Sequence, residues 1–252
     1  MFLLRRSSQH LLPFVALLFS VGCTTEDSTG VDTSTTTATS PVVVESSSAA
    51  GEAPAAQPTD PAPKMSMPMM AVPAPEDMVF KDEISSNVEV PEGLDGLTFV
   101  DTTGQRVALQ DYLGKKNVIL VFTEGFAGML CPFCKTQTSR LVANYDKFAE
   151  LDTEILVVYP GERNHLEEFV EAAKTTGKTQ VDQVPFPIVL DQQMTAVDYF
   201  DIRSKLAHPS TYVIDKAGNV QLAYVGADMS ADRPSVKALL NAVSSAGEKG
   251  GE

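Results

Sequence analysis

Five consecutive apolar residues, Val118-Ile119-Leu120-Val121-Phe122, limit what this chain can fold into more than any other feature of its sequence. Successive side chains of a strand point to opposite faces, so a strand that is apolar at every position needs cover on both. Residues 155–159 repeat this character, and 187–190 and 211–214 are shorter runs of it. Segments of helical length, 132–150, 164–176 and 192–200, lie between them. Such alternation predicts an α/β domain with a central, mostly parallel sheet and helices on both faces. The ends differ. Residues 97–100 and 106–109 flank Thr102-Thr103-Gly104 and read as a small hairpin. Asp215-Lys216-Ala217-Gly218 joins 211–214 to the alternating run 220–224, which reads as an antiparallel edge strand. A last helix over 235–243 closes the domain.

Only the C-terminal two thirds can build that core. Of 18 aromatic residues, 15 lie between Phe80 and Tyr224 and none between Ser20 and Val79. From Thr24 to Pro75, Ser, Thr, Ala and Pro fill 33 of 52 positions without sustained periodicity, so burial cannot offset the ordering entropy and a disordered tether is expected over 23–80. Ahead of it, Arg5 and Arg6 precede an apolar run from Leu11 to Val21, about half the ~20 residues of a spanning helix, which reads as an export signal over 1–22. Ser20-Val21-Gly22-Cys23 resembles the lipobox of bacterial lipoproteins, which implies lipidation of Cys23 and a domain held at a membrane on the periplasmic side of the cell envelope. Ordinary secretory cleavage nearby is the alternative. The working domain is then 81–252. A net charge of −14 argues against nucleic acid as a partner. The thioethers of Met65, Met67, Met69 and Met70 are soft donors suited to Cu(I), or simply a greasy patch of linker.

The chemistry centres on Cys131-Pro132-Phe133-Cys134, placed where a Gly-containing loop after the 118–122 strand gives way to a helix. Free N–H groups and the positive dipole end at a helix start favour a thiolate. Pro132 suits the first helical position, which has no N–H to lose. Cys134 falls on the stripe Cys134, Thr138, Leu141, Tyr145, Phe148, the side expected to face the sheet. This predicts Cys131 as an exposed attacking thiol and Cys134 as a shielded resolving thiol. Half a zinc site is the main alternative, but His165 and His208 are the only histidines outside the signal. A structural disulfide closing so short a loop would stabilise little.

Taken with Leu109-Gln110-Asp111-Tyr112-Leu113-Gly114-Lys115, Phe186-Pro187-Ile188-Val189-Leu190-Asp191 and His208-Pro209-Ser210-Thr211-Tyr212-Val213-Ile214-Asp215, the cysteine motif resembles the thioredoxin-like redoxins, in particular the alkyl hydroperoxide reductase/thiol-specific antioxidant (AhpC/TSA) family, over about residues 90–245. The resemblance implies a thioredoxin-like fold, catalysis by Cys131 and Cys134, and a cis-proline loop at Pro209 that brings His208 beside Cys131, with Pro132 and Phe133 at the substrate face. It also implies that Glu124 is a candidate proton relay, against the simpler reading of a solvated loop carboxylate. No metal or other cofactor is expected.

The chain departs from the peroxiredoxin pattern at two places. Gly128 stands where a Thr usually precedes the reactive cysteine, and His208-Pro209-Ser210 stands where an Arg usually polarises the peroxide. Arg203 and Arg140 are candidate substitutes. Missing donors for developing charge weaken peroxide reduction. The expected function is therefore a tethered thiol-disulfide oxidoreductase acting on protein disulfides, with hydroperoxide reduction as the alternative and copper handling third; either redox reading needs a thiol electron donor.

Overall fold

In the computed structural model, residues 72–249 are described. The export signal, Cys23, most of the tether and the Met65 to Met70 cluster lie outside the described residues. Among those described, seven strands form one sheet in the order β2-β1-β5-β4-β3-β6-β7: β1 (Thr98–Asp101), β2 (Arg106–Ala108), β3 (Asn117–Phe122), β4 (Thr153–Pro160), β5 (Ile188–Asp191), β6 (Ser210–Ile214) and β7 (Val220–Val225). Five helices accompany them: α1 (Pro132–Ala143), α2 (Tyr145–Ala149), α3 (Leu166–Thr175), α4 (Thr195–Tyr199) and α5 (Val236–Lys249).

The α/β class holds, and β3 is the central strand that its apolar run demands, with all six residues buried. Ile119 and Val121 point into one core with Leu141, Phe148, Tyr159, Phe169 and Leu239. Val118, Leu120 and Phe122 point into the other with Val197, Phe200 and Tyr212. The parallel part is narrower than expected: β3–β4 and β4–β5 run parallel, whereas two antiparallel strands follow on each side instead of one edge strand. Short hairpins account for β1–β2 and β6–β7, whereas β1–β5 and β3–β6 are antiparallel pairs between strands far apart in sequence. The helix expected over 132–150 is two, divided at Asn144, whose Nδ2 donates to the Arg140 carbonyl at 2.8 Å and competes with the helical ladder.

The folded unit begins earlier than the aromatic count suggested. Met78 and Phe80 are buried in the first core, and Arg140 reaches out to donate to the carbonyls of Pro75 (2.8 Å) and Met78 (2.7 Å). Further along, Asn87 lies on the free edge of β7. Its N–H donates to Ala223 O and its Nδ2 to Val225 O, while its Oδ1 accepts from Val225 N and Ser86 Oγ accepts from Ala223 N.

The sheet topology decides what meets the cysteines. Strand β3 ends at Phe122, opposite the start of antiparallel β6 at Ser210, which is opposite the end of β7 at Val225. The cysteine loop after β3 and the segment after β7 therefore leave the sheet at the same end.

Candidate active site

Cys131 caps α1 in extended conformation, Pro132 occupies the first turn, and the Cys131 carbonyl accepts the Lys135 N–H at 3.1 Å. Cys134 lies one turn on, and both thiols are free. The expectation of an exposed Cys131 is corrected: both cysteines are only 3 % exposed. What closes them off is a strap over residues 226–233 between β7 and α5, and its last residue lies against both sulfurs.

That residue is Arg233, 1 % exposed. Its Nη2 donates to Glu124 Oε1 at 2.6 Å, to Cys134 Sγ at 3.4 Å and to Cys131 Sγ at 3.5 Å. Two hydrogens thus face three acceptors. Nη1 donates to the Ser230 carbonyl, and the guanidinium carbon stands 5.7 Å from the centre of the Phe133 ring. Burial works against the Arg233 charge, yet Cys134, Cys131 and Glu124 outweigh it and raise its pKa.

Glu124 is buried, 8 % exposed, and so is not the solvated loop carboxylate of the simpler reading. Its Oε1 also accepts the Met229 N–H at 2.8 Å, and its own N–H donates to Cys134 Sγ at 3.4 Å. Met229 holds a left-handed backbone (φ 46°), a conformation that a non-glycine residue keeps only when its surroundings enforce it.

The surroundings push the ionisation of the two sulfurs in opposite directions. Burial raises the Cys134 thiol, but the hydrogen bond from Cys131, the Arg233 guanidinium and the Glu124 N–H overcome it and hold Cys134 below the ordinary thiol value. Cys131 is pushed up, first by the hydrogen bond to Cys134, then by burial. The pair loses its first proton easily and its second with difficulty, so it titrates as a unit. The inner sulfur, expected as the shielded resolving thiol, is the one whose ionisation the surroundings favour.

The other expected residues fall elsewhere. No cis peptide bond occurs among the described residues, which corrects the cis assignment of Pro209. Pro209 leads in extended form into β6, its carbonyl accepting the Gly226 N–H at 2.8 Å. His208 bonds Asp228 through Nδ1 at 2.8 Å, not either sulfur. Arg203 pairs with exposed Asp198, and Arg140 is committed to Pro75 and Met78; neither stands at the dithiol. Gly128 (φ 102°) has open space at its Cβ position, with no hydroxyl replacing the missing Thr. Phe133 is buried beneath Arg233 instead of presented to a substrate, and Pro132 is half-buried.

Cys131 Sγ, Cys134 Sγ and a Glu124 oxygen lie within 4.8 Å of one another, a separation compatible with a metal. The fit is poor, since a cation there would face the Arg233 guanidinium already bound to all three. A cavity of about 280 Å³ lies beside Glu124, lined also by Gly125, Ala127, Met129, Lys205 and Met229 among others.

Arg233 escaped sequence reading because it lies 102 residues from Cys131 in an unremarkable polar stretch, Ala231-Asp232-Arg233-Pro234-Ser235. Reading 211–224 as a hairpin was not enough to find it: the segment after β7 reaches the cysteine end of the sheet only because β6 runs antiparallel to β3, against the mostly parallel sheet expected.

Residues 87–223 match the AhpC/TSA family. No curated protein matches the chain. Among solved structures it is similar to a mutant of peroxiredoxin 6 from Arenicola marina, with TM-score 0.56, 14% identity, and 66% of this chain and 76% of that one covered. It is also similar to the bacterioferritin comigratory protein of Xanthomonas campestris (TM-score 0.48, 18% identity, 64% and 97% covered) and to peroxidoxin BcpB of Mycobacterium tuberculosis (0.46, 20%, 60% and 90%). At such identity the first likeness is one of fold, in agreement with the thioredoxin-like architecture. With a family match over more than half its length and a paired dithiol at the start of α1, the chain belongs to the AhpC/TSA family and is an oxidoreductase.

Proposed function

We propose that the protein reduces hydroperoxides with Cys131 and Cys134. The observation that carries this reading is the guanidinium of Arg233 against both sulfurs. The preference for disulfide exchange rested on the lack of a Thr hydroxyl and of an Arg, and Arg233 removes the second of these grounds. Burial points the same way: a sulfur 3 % exposed is closed to a folded partner, while a small hydroperoxide can approach through the cavity beside Glu124 and Met129.

The chemistry balances with the residues at hand. The Cys131 proton passes to Cys134 along the S–H···S hydrogen bond, leaving the thiolate at the helix cap. That thiolate attacks the terminal peroxide oxygen; an S–O bond forms, the O–O bond breaks, and the departing alkoxide takes up one proton. Arg233 stabilises charge on the sulfur and on the leaving oxygen. Cys134, whose proton has gone to that alkoxide, then attacks the Cys131 sulfenic acid as a thiolate and expels hydroxide, which becomes water with the proton the dithiol released to solvent on its first ionisation. Dithiol and hydroperoxide become disulfide, alcohol and water, and a thiol donor restores the dithiol.

Stopped-flow oxidation of the reduced chain by hydrogen peroxide tests this. Oxidation orders of magnitude faster than free cysteine is expected; a rate equal to free cysteine would sink it. Cys131→Ser should abolish turnover, whereas Cys134→Ser should still consume one equivalent of peroxide and stop at a sulfenic acid that dimedone captures. Disulfide exchange is the second reading, favoured by the existing contact between the sulfurs, which lets a disulfide close with little rearrangement. Rapid reaction with a protein disulfide beside slow peroxide oxidation would select it.

The sequence supports placing this activity at a membrane through a lipid on Cys23. Metabolic labelling with an alkyne fatty acid should mark the wild-type chain and not Cys23→Ala; equal labelling would remove the anchor.

A further inference from the structure

The part of the chain shared with the family, 87–223, supplies Glu124 and the two sulfurs that Arg233 meets, but neither Arg233 itself nor the segments that carry it into place. The flanking segments meet each other instead. Lys81 pairs with the end of the strap across Pro234: its N–H donates to the Arg233 carbonyl at 2.8 Å, and its carbonyl accepts the Ser235 N–H at 2.8 Å. The Lys81 ammonium then reaches Asp232 Oδ1 at 2.5 Å and the Tyr224 hydroxyl at 2.7 Å. Asp232 in turn accepts from Tyr224 OH at 2.5 Å and from the Ala227 N–H at 3.2 Å, closing the strap on itself. Next to this, Asp82 accepts from Ser235 Oγ at 2.6 Å and Lys237 Nζ at 3.1 Å.

We infer that Lys81, through its ion pair with Asp232, is a positioning residue that sets the Arg233 guanidinium against the Cys131–Cys134 dithiol. The segment that continues from the N-terminal linker thereby completes the reaction centre. Buried backbone bonds fix where the strap lies, and the ammonium fixes its last turn. Placement matters because a displacement on the order of 1 Å at a reacting centre can cost about 100-fold in rate. The charged and titratable groups involved are Glu124, Cys131 and Cys134 around Arg233, and Asp232 and Tyr224 around Lys81.

The inference rests on the reading that Arg233 stabilises the reacting thiolate, and the experiment separates the two. The pH dependence of peroxide oxidation is measured for the full chain, Lys81→Met, Asp232→Asn, the double variant, Lys81→Arg and Arg233→Lys. Since the Lys81 side chain is about half exposed (49%), Lys81→Met should fold normally. It should slow oxidation roughly three- to tenfold near neutral pH and move the profile to higher pH, by way of a loosened guanidinium. Asp232→Asn should reproduce this, the double variant should be no worse than either, and Lys81→Arg should restore most of the rate. If Arg233→Lys moves the profile and Lys81→Met and Asp232→Asn do not, Lys81 has no positioning role and the thiolate reading stands. If none of the three moves it, both fall. Additive losses in the double variant would show that the two residues act separately and would also overturn the inference.

Discussion

Arg233→Met should slow oxidation of the reduced protein by hydrogen peroxide about 100-fold, the order seen when one preorganised donor to a developing charge is removed. The pH profile fixes the cause. Arg233 lowers the first ionisation of the dithiol by its charge on both sulfurs, so its loss must raise that pKa and shrink the thiolate fraction near neutral pH. Wild-type oxidation should therefore hold its rate as pH falls below the ordinary thiol range, declining only through the depressed pKa; the variant should decline at higher pH. Removing one partner of a buried ion pair also leaves Glu124 uncompensated, at a cost of about 3–5 kcal/mol. Arg233→Lys is the companion variant, keeping the charge while losing the planar fork, and should fall between. A pH profile unchanged in both variants would show that the guanidinium is structural only.

Gly226→Ala should be nearly as damaging without touching a reactive group. A Cβ at 226 would lie 1.9 Å from the Asp232 carbonyl oxygen and 3.1 Å from its carbon, both backbone atoms. The neck of the strap has to open, and Asp232 adjoins Arg233. A loss of about 1–3 kcal/mol is expected, roughly 2–10 °C in Tm, by analogy with forced overpacking. Thermal unfolding and peroxide oxidation together check it: a lower Tm with slower oxidation is expected, and wild-type behaviour in both would mean that the strap yields there freely.

These variants act on the part of the site that sequence reading did not reach, and the reason is physical. Strand β3 and the cysteine helix announce themselves locally: five apolar residues in a row, then two thiols and a proline at helical spacing. Arg233 carries no local sign, because its burial is created by partners drawn from β3's exit, α1 and residues 78–82. Glu124 was visible as a residue next to β3, but its burial was not, since the strap that covers it lies more than 100 residues away. Pro209 shows the opposite error. Its place just before a strand is a local feature, but the family resemblance implied that it lies, in cis, beside the dithiol. The narrow parallel core was not legible in the connections, since residues 192–209 between β5 and β6 hold α4 and β6 still runs antiparallel to β3.

Asn87 gives the domain a property unrelated to catalysis. By occupying the outward N–H and C=O groups of Val225 and the outward C=O of Ala223, with Ser86 taking the remaining N–H, one side chain and its neighbour stand in for an eighth strand. An open strand edge is a template on which another chain can grow. Here the last row is already filled by residues too short to carry the pattern further. Copies of the domain crowded side by side would find the Ala223–Val225 half of β7 already taken, which leaves less of that edge for a neighbour to add to.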